Sequence, residues 1–176
     1  MKVLSFDPGQ STGVAFYIDG QLTELLTLRP DEVAERIESE QPGLVVLEDS
    51  RKTSSLFTAA KAKSKAAAMK IARNVGEIDQ QCRQITDACE RLGIPCVGVS
   101  PSGKGKKLNA ANFLAVTGWE RPSNQHTRDA AMVGWRYRRA NPATVKAMQL
   151  ATARPSQPKL ATKTKSQPTT RKNQSK

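Results

Sequence analysis

The fold of this chain is decided by the stretch Val3-Leu4-Ser5-Phe6-Asp7-Pro8-Gly9-Gln10-Ser11-Thr12-Gly13-Val14-Ala15-Phe16. It has the pattern of an apolar strand that ends in one carboxylate at a tight turn, followed by a second apolar strand. A carboxylate at the end of a buried strand requires a partner, and the usual partners are a metal ion or a cationic substrate. Asp7 is therefore the first candidate functional residue, although Asp-Pro-Gly alone more often forms only a turn.

The N-terminal third predicts most of a β-sheet. Three antiparallel strands are expected first, at residues 2–7, 12–18 and 21–28. The Asp19-Gly20 pair favours a hairpin turn between the second and the third strand. After a short helix from Pro30, the apolar run Leu44-Val45-Val46-Leu47 is too short for a helix and predicts a central strand buried on both faces, ending in Glu48.

The remainder of the chain predicts helices and one more strand. We expect a long helix at 66–92 with a break near Gly76, a strand at 94–99, a short helix at 108–117 and a last helix from Asn124 to about Ala140. The predicted fold is α/β, in which a mixed five-stranded sheet of three antiparallel and then two parallel strands is flanked by helices. Residues 1–140 would form this domain.

The charge of the chain is strongly positive. Its 176 residues include 28 Lys and Arg against 16 Asp and Glu, a net charge of +12. This excess favours a polyanionic partner, because each neutralised phosphate releases counterions, although a merely solvated basic surface is the alternative. No Asp or Glu follows Asp129, and residues 141–176 are rich in Pro, Ser, Thr and Lys. We expect a disordered basic tail there, because this composition buries little apolar area.

The cysteines and the hydropathy pattern favour a soluble cytoplasmic protein. Cys82, Cys89 and Cys96 are odd in number and lack metal-type spacing, so we expect reduced thiols and no zinc site. No apolar run approaches the roughly 18 residues that span a bilayer, and no membrane partner is expected.

Three acids and one histidine are predicted to meet at one edge of the sheet. Parallel neighbours place their carboxyl ends together, so Asp7 and Glu48 would lie side by side. His126 and Asp129 are three residues apart on a predicted helix and point the same way. Each signal alone also fits a turn, a strand exit or a surface pair. Together they favour a cation among them, and the oxygen-rich ligands suit Mg²⁺ or Mn²⁺.

This arrangement is typical of nuclease chemistry. Two such ions can activate a water molecule and stabilise the departing oxygen of a phosphodiester. Lys104, Lys106 and Lys107 lie in a basic loop that would offset negative charge in the transition state, or would be ordinary solvated lysines.

The same residues resemble the RuvC-type Holliday-junction resolvases of the ribonuclease-H-like superfamily, over about residues 2–137. The likeness rests on Leu4-Ser5-Phe6-Asp7-Pro8-Gly9 with Thr12-Gly13, on Glu48 after Leu44-Val45-Val46-Leu47, and on His126-Thr127-Arg128-Asp129-Ala130-Ala131. It implies a ribonuclease-H-like sheet and a phage or bacterial endonuclease that makes paired nicks in four-way or other branched DNA. Asp7 would bridge two ions, and Glu48, His126 and Asp129 would complete the site.

The resemblance also implies how DNA is held. The family's catalytic lysine falls in the loop of Lys104, Lys106 and Lys107, without a choice among the three. Its aromatic wedge follows the second carboxylate, but residues 49–56 hold no aromatic, so Phe57 is the candidate. We expect DNA contacts from Arg51, Lys52, Phe57, Lys61, Lys63, Lys104, Lys106 and Lys107. The family acts as a two-fold homodimer, and the helix at 66–82 is the candidate interface, unless its small residues only pack intramolecularly.

Two other functions fit parts of the pattern. A non-catalytic nucleic-acid binder would use only the lysines and the tail, but converging acids would weaken its contact with phosphate. The Asp-x-Gly-x-x-Thr-Gly turn also resembles the phosphate loop of actin-like ATP-binding domains, which need a second domain and a second loop.

Overall fold

A five-stranded mixed sheet forms the centre of the fold, in a computed structural model that describes residues 1–53 and 62–152. The strands are β1 (Lys2–Asp7), β2 (Thr12–Ile18), β3 (Gln21–Leu28), β4 (Leu44–Glu48) and β5 (Cys96–Val99). Their order across the sheet is β3-β2-β1-β4-β5. The first three pair antiparallel, and β4 and β5 extend the sheet in parallel from β1. The predicted α/β sheet is therefore confirmed.

Helices cover both faces of this sheet. In the described ranges they are α1 (Val33–Glu40), α2 (Lys65–Arg91), α3 (Ala110–Thr117), α4 (Gln125–Gly134) and α5 (Pro142–Thr152). The expected break near Gly76 is wrong, because α2 is continuous over 27 residues. One interior glycine costs only about 1 kcal/mol, which a long helix absorbs. Within residues 1–53 and 62–152, no helix combines the length and the apolar character needed to cross a membrane.

The strands supply a core on each side of the sheet. Leu4, Phe6, Val45 and Leu47 pack under α1 and α2. On the other side Val3, Ala15, Tyr17, Leu44 and Val46 pack under α4. Because β1 and β4 are buried on both faces, their sequences are continuous apolar runs instead of alternating ones. Cys82, Cys89 and Cys96 are free thiols in or against the first of these cores.

Helix α4 lies unusually close to the sheet. The Ser5 hydroxyl donates to the carbonyl oxygen of Ala130 at 2.8 Å, and the Tyr17 hydroxyl donates to that of Ala131 at 2.7 Å. A Cβ at Gly134 would lie 2.5 Å from Ser5 Oγ, so only glycine leaves room for the strand at this end of the helix. These contacts fix α4 across β1 and β2.

The C-terminal part of the described chain differs from the prediction. Helix α4 ends at Gly134 instead of near Ala140, and a turn leads to α5. This helix lies inside residues 141–176, so the predicted disorder is wrong for residues 142–152. Asn141 caps α5 by accepting from the backbone N–H of Thr144 at 2.9 Å, and Val145 is buried under the sheet. Residues 153–176 of the predicted tail lie outside the described residues.

Candidate active site

Asp7 and Glu48 end neighbouring parallel strands. β1 and β4 pair with Phe6 opposite Leu47, so the next residue on each strand is a carboxylate at the same edge of the sheet. Phe6 and Leu47 belong to the core under α1 and α2, and successive side chains of a strand alternate between faces. Asp7 and Glu48 therefore face the side that α4 covers.

The first turn of α4 is anchored next to this edge. The Asn124 side chain accepts from the Thr127 N–H at 3.0 Å, while the Thr127 hydroxyl accepts from the Asn124 N–H at 3.1 Å. This reciprocal capping fixes the start of the helix, as predicted for Asn124. The Asn124 amide also donates to the Thr27 hydroxyl of β3 at 2.8 Å, so the cap is tied to the sheet as well.

Gly13 allows the helix start to reach Asp7. It is the direct partner of Asp7 in the β1–β2 ladder. A Cβ at Gly13 would lie 2.0 Å from the carbonyl oxygen of His126, so any larger residue would displace the helix. With glycine in place, Nδ1 of His126 lies 3.5 Å from Oδ2 of Asp7. This is the first of the predicted convergences that the structure contains.

Asp129 lies one turn further along α4 and is almost fully buried. Its Oδ1 accepts from the Gln125 side-chain amide at 2.7 Å. Its Oδ2 lies 3.6 Å from Nζ of Lys107, whose own side chain is 69% exposed. One face of the carboxylate is thus held by an amide, and the other is reached by a cation from the lysine loop.

Arg128 connects α4 to the lysine loop. Its guanidinium donates to the carbonyl oxygen of Leu108 at 3.0 Å and to that of Ser123 at 2.8 Å. It also donates to the side-chain oxygen of Gln125 at 3.2 Å. Because the amide nitrogen of Gln125 donates to Asp129, Arg128 orients that amide as well as the loop beside it.

The three lysines of the loop are placed differently. Lys107 is next to Asp129, and Lys106 is exposed. Lys104 ends the short 3-10 helix Pro101–Lys104, and its side chain lies outside the described atoms. Of the two described lysine side chains, Lys107 is the one that reaches Asp129. The choice of a catalytic lysine among the three stays a prediction.

Residues after β4 hold the strand exit in place. Arg51 donates from Nε and Nη2 to the two oxygens of Asp49 at 2.7 and 3.0 Å. Burial alone would raise the pKa of Asp49, but the hydrogen bonds and charge of Arg51 hold it below its usual value. Lys52 donates to the carbonyl oxygen of Gly98 at 2.7 Å. These contacts stabilise the segment after Glu48, and DNA binding by Arg51 and Lys52 stays a prediction.

Of the other predicted DNA contacts, one is described and two are not. Lys63 is exposed just before α2. Phe57 and Lys61 lie outside the described residues. The candidate wedge and one candidate phosphate contact therefore stay predictions from the sequence.

The donor chemistry of the site suits a hard divalent cation, because Asp7, Glu48 and Asp129 supply carboxylate oxygens and His126 supplies an imidazole. In the positions described for residues 1–53 and 62–152, no three His, Cys, Asp or Glu side chains are close enough together to hold a metal ion. The residue types thus fit Mg²⁺ or Mn²⁺, and binding would require the side chains to draw together.

Three residues that support the site were not identified from the sequence. Gly13 was noted only as part of a turn, although its missing Cβ sets the position of α4. Gln125 and Arg128 were not singled out. The signal for Gln125 is its spacing from Asp129, since amide and carboxylate side chains four residues apart meet on one helix face.

Comparison with solved structures finds the same fold. The RuvC structure of Thermus thermophilus matches with a TM-score of 0.53 and 14% sequence identity, over 85% of this chain and 97% of that chain. A T. thermophilus RuvC in complex with a Holliday junction substrate matches with a TM-score of 0.49 and 15% identity, over 87% of this chain and 96% of that chain. No protein-family model and no curated protein matches the sequence. The predicted likeness to RuvC is thus confirmed at the level of the fold.

Proposed function

We propose that this protein is a metal-dependent endonuclease that resolves Holliday junctions or other branched DNA by paired symmetric nicks. The observation that supports it most is the arrangement at the carboxyl ends of β1 and β4. Asp7 and Glu48 end paired strands on the side of α4, and His126 and Lys107 contact Asp7 and Asp129 there. The fold shared with a RuvC structure supports the same proposal.

Asp7, Glu48, His126 and Asp129 would hold two Mg²⁺ or Mn²⁺ ions. When bound, such ions supply an activated water and stabilise the oxygen that leaves the phosphodiester. The chain itself fixes the positions of the carboxylates that would bind these ions. Asp7 is fixed at the end of a buried strand, and the Gln125 amide orients Asp129. His126 is about half exposed, so its ring lies where substrate can approach.

Lys107 supplies positive charge where a phosphate would enter. Its ammonium lies 3.6 Å from Asp129 and is mostly exposed, so it can reorient towards a phosphate oxygen. A cation placed in advance stabilises charge that develops in the transition state. Arg128 holds the backbone of the same loop on α4, which limits how far Lys107 can move.

The chain would act as a homodimer in the cytoplasm of a bacterium or a phage-infected cell. A nearly two-fold four-way junction has two opposed strands to cut, and a two-fold dimer presents two equivalent sites to them. The candidate interface is the N-terminal part of α2. Buried residues of this helix start only at Cys82, whereas Ile71, Val75 and Ile78 form a half-buried apolar stripe before it.

The alternatives differ in what they require. A non-catalytic binder would have no use for a buried Asp129 whose carboxylate is oriented by the Gln125 amide. An actin-like ATP-binding protein requires two domains, and residues 1–53 and 62–152 form a single five-stranded sheet with its helices. Neither alternative explains why a glycine brings His126 onto Asp7.

The test is a panel of linear, forked and four-way DNA incubated with the full chain in Mg²⁺, in Mn²⁺ and in EDTA. The proposal predicts paired, symmetric nicks in the four-way junction with either metal and none in EDTA. Size-exclusion chromatography with light scattering would show a dimer. Tight binding to every substrate without any cleavage would reject the nuclease and favour the non-catalytic binder.

A further inference from the structure

A cluster of arginines lies at the end of the sheet opposite the carboxylates. We call residues 135–139, Trp-Arg-Tyr-Arg-Arg, the arginine turn; it follows α4 directly. The hairpin turn Asp19-Gly20 is at this end, because Lys2 pairs with Ile18. A Cβ at Gly20 would lie 2.7 Å from Cγ of Arg139, so the arginine turn packs on that hairpin. Since β1 advances about 3.3 Å per residue, this end is about 17 Å from Asp7.

Nearly all of the excess of basic over acidic residues lies in the sequence after Asp129. Of the 28 Lys and Arg, eleven follow Asp129, and none of the 16 Asp and Glu does, so residues 1–129 hold 17 basic and 16 acidic residues. The first basic residues after Asp129 are those of the arginine turn, and Lys146 on α5 is next. Of these eleven basic residues, Arg136, Arg138, Arg139 and Lys146 belong to the described part of the chain, and no Asp or Glu follows Asp129 to offset them.

The arginine turn is built on the core. The guanidinium of Arg138 stacks 3.8 Å above the Trp135 ring and donates to the Trp135 carbonyl oxygen. Trp135 packs edge-on against Tyr17, whose hydroxyl is bonded to α4. The stem of Arg139 rests on Gly20, which has a φ of +86°. Side chains held in this way lose less conformational entropy when they bind a ligand.

Two arginines of this surface are exposed and can bind a ligand. Arg136 and Arg139 are exposed, and within residues 1–53 and 62–152 no ion pair joins either of them to an acid. The nearest acid of the hairpin, Asp19, pairs with the amino group of Met1. Guanidinium groups bind phosphate oxygens through two parallel hydrogen bonds, which lysine cannot do.

We propose that the arginine turn is a second nucleic-acid-binding surface that holds the phosphate backbone of a segment other than the one at the carboxylates. The choice of nucleic acid as the polyanion rests on the proposed function. The two surfaces lie at opposite ends of β1, so the proposal assigns them to two different segments of nucleic acid. With contacts only to phosphates, the second surface binds without sequence preference.

The experiment compares two double variants of the full chain in EDTA, where no cleavage occurs. R136Q/R139Q removes two charges from the arginine turn, and R83Q/R91Q removes two from exposed positions of α2 as the matched control. Binding of a labelled linear duplex is measured by anisotropy over a series of salt concentrations. For R136Q/R139Q we expect the plot of log affinity against log salt concentration to become less steep by about 1.8, at about 0.9 for each lost phosphate contact. We also expect its affinity for the duplex to fall about tenfold. The control keeps the wild-type slope.

A capture assay tests whether the second segment is separate. The chain is bound to a four-way junction on beads, and a labelled linear duplex is added. Wild type and R83Q/R91Q retain the duplex, and R136Q/R139Q does not. If R136Q/R139Q is poorly folded, R136Q alone replaces it, because Arg136 is exposed, and its slope falls by about 0.9.

Several results would overturn the proposal. Equal slopes for the two double variants would mean that only net charge matters. Loss of binding to phosphatidylserine vesicles in R136Q/R139Q, with duplex binding unchanged, would assign the surface to membranes. Failure of the proposed function is separate: no cleavage by wild type, together with loss of duplex capture in R136Q/R139Q, rejects the nuclease and keeps the second surface.

Discussion

The two ends of α4 carry charge in opposite ways. At its N-terminal end Asp129 is almost fully buried, held by an amide and reached by Lys107. Just beyond its C-terminal end, the arginine turn exposes Arg136 and Arg139 on a packed platform. A buried acid costs free energy unless each oxygen has a partner, so its neighbours are specified closely. An exposed arginine requires no partner for its guanidinium, so a side chain with a fixed stem can still bind the phosphates of a nucleic-acid backbone.

Glycines set the position of both ends, but they meet different obstacles. A Cβ at Gly13 would meet the backbone of His126, and one at Gly134 would meet the side chains of Ser5 and Tyr17. The closest approach is shorter at Gly13, 2.0 Å from the His126 carbonyl oxygen, than at Gly134, 2.5 Å from Ser5 Oγ. Gly13 should therefore tolerate a larger residue less well than Gly134 does.

Gly13→Ala should cause the largest loss of stability and of cleavage among the substitutions considered. The new methyl would lie 2.0 Å from the His126 carbonyl oxygen, so the start of α4 must move away from Asp7. We expect a loss of at least about 3 kcal/mol in the free energy of unfolding and no junction cleavage. Urea titration and the nicking assay measure the two effects.

Gly9→Ala is the matched control for this substitution. It lies in the turn just before β2, four residues ahead of Gly13, and its Cβ would meet only the Ser11 carbonyl oxygen at 3.8 Å, an ordinary contact. We expect a change within about 0.5 kcal/mol. Similar losses for both variants would contradict the role given to Gly13.

Lys107→Gln should lower the cleavage rate without lowering the affinity for the junction. The ammonium beside Asp129 is lost while the loop stays tied to Arg128. We expect the single-turnover cleavage rate to fall about 100-fold, a size typical of losing one electrostatic group, with little change in junction affinity. Lys106→Gln, in the same loop, should change the rate much less. If Lys106→Gln had the larger effect, the placement of Lys107 at the reacting phosphate would be wrong.

Control substitutions apart, Asp49→Asn should have the smallest effect, and it removes the acid that pairs with Arg51. Because the folded-state pKa of Asp49 is lowered, its contribution to stability is present above its unfolded pKa, about 3.9. That contribution is lost as the pH falls through the lower folded-state value. At pH 7 we expect the variant to lose about 2 kcal/mol. Unfolding curves at pH 7 and pH 3 should show a smaller difference between variant and wild type at the lower pH, and a constant difference would contradict this account.

Local patterns were sufficient to predict the strands of this fold. The bounds of β1, β2 and β3 are those predicted from the apolar runs and the Asp19-Gly20 turn, because strand composition and turn chemistry are properties of neighbouring residues. The edge that carries Asp7 and Glu48 follows from the parallel pairing of β1 with β4.

The contacts that assemble the site were harder to predict, since they join residues more than a hundred positions apart. The close approach of Gly13 to His126 depends on how α4 lies on the sheet, and no local pattern contains that information. Helix α5 was missed for a related reason. The composition of residues 141–176 taken together suggested a tail, whereas the Asn141 cap and the buried Val145 accompany an ordered helix at its start.

The central claim is that Asp7 acts in cleavage and that Asp19, in the hairpin turn at the opposite end of the sheet, does not. The most direct measurement is cleavage of a four-way junction in Mg²⁺ by Asp7→Asn and by Asp19→Asn, with junction binding measured in parallel. We expect Asp7→Asn to lose cleavage by at least about 10³-fold while it still binds the junction, and Asp19→Asn to cleave like wild type. Cleavage by Asp7→Asn at the wild-type rate would contradict the account.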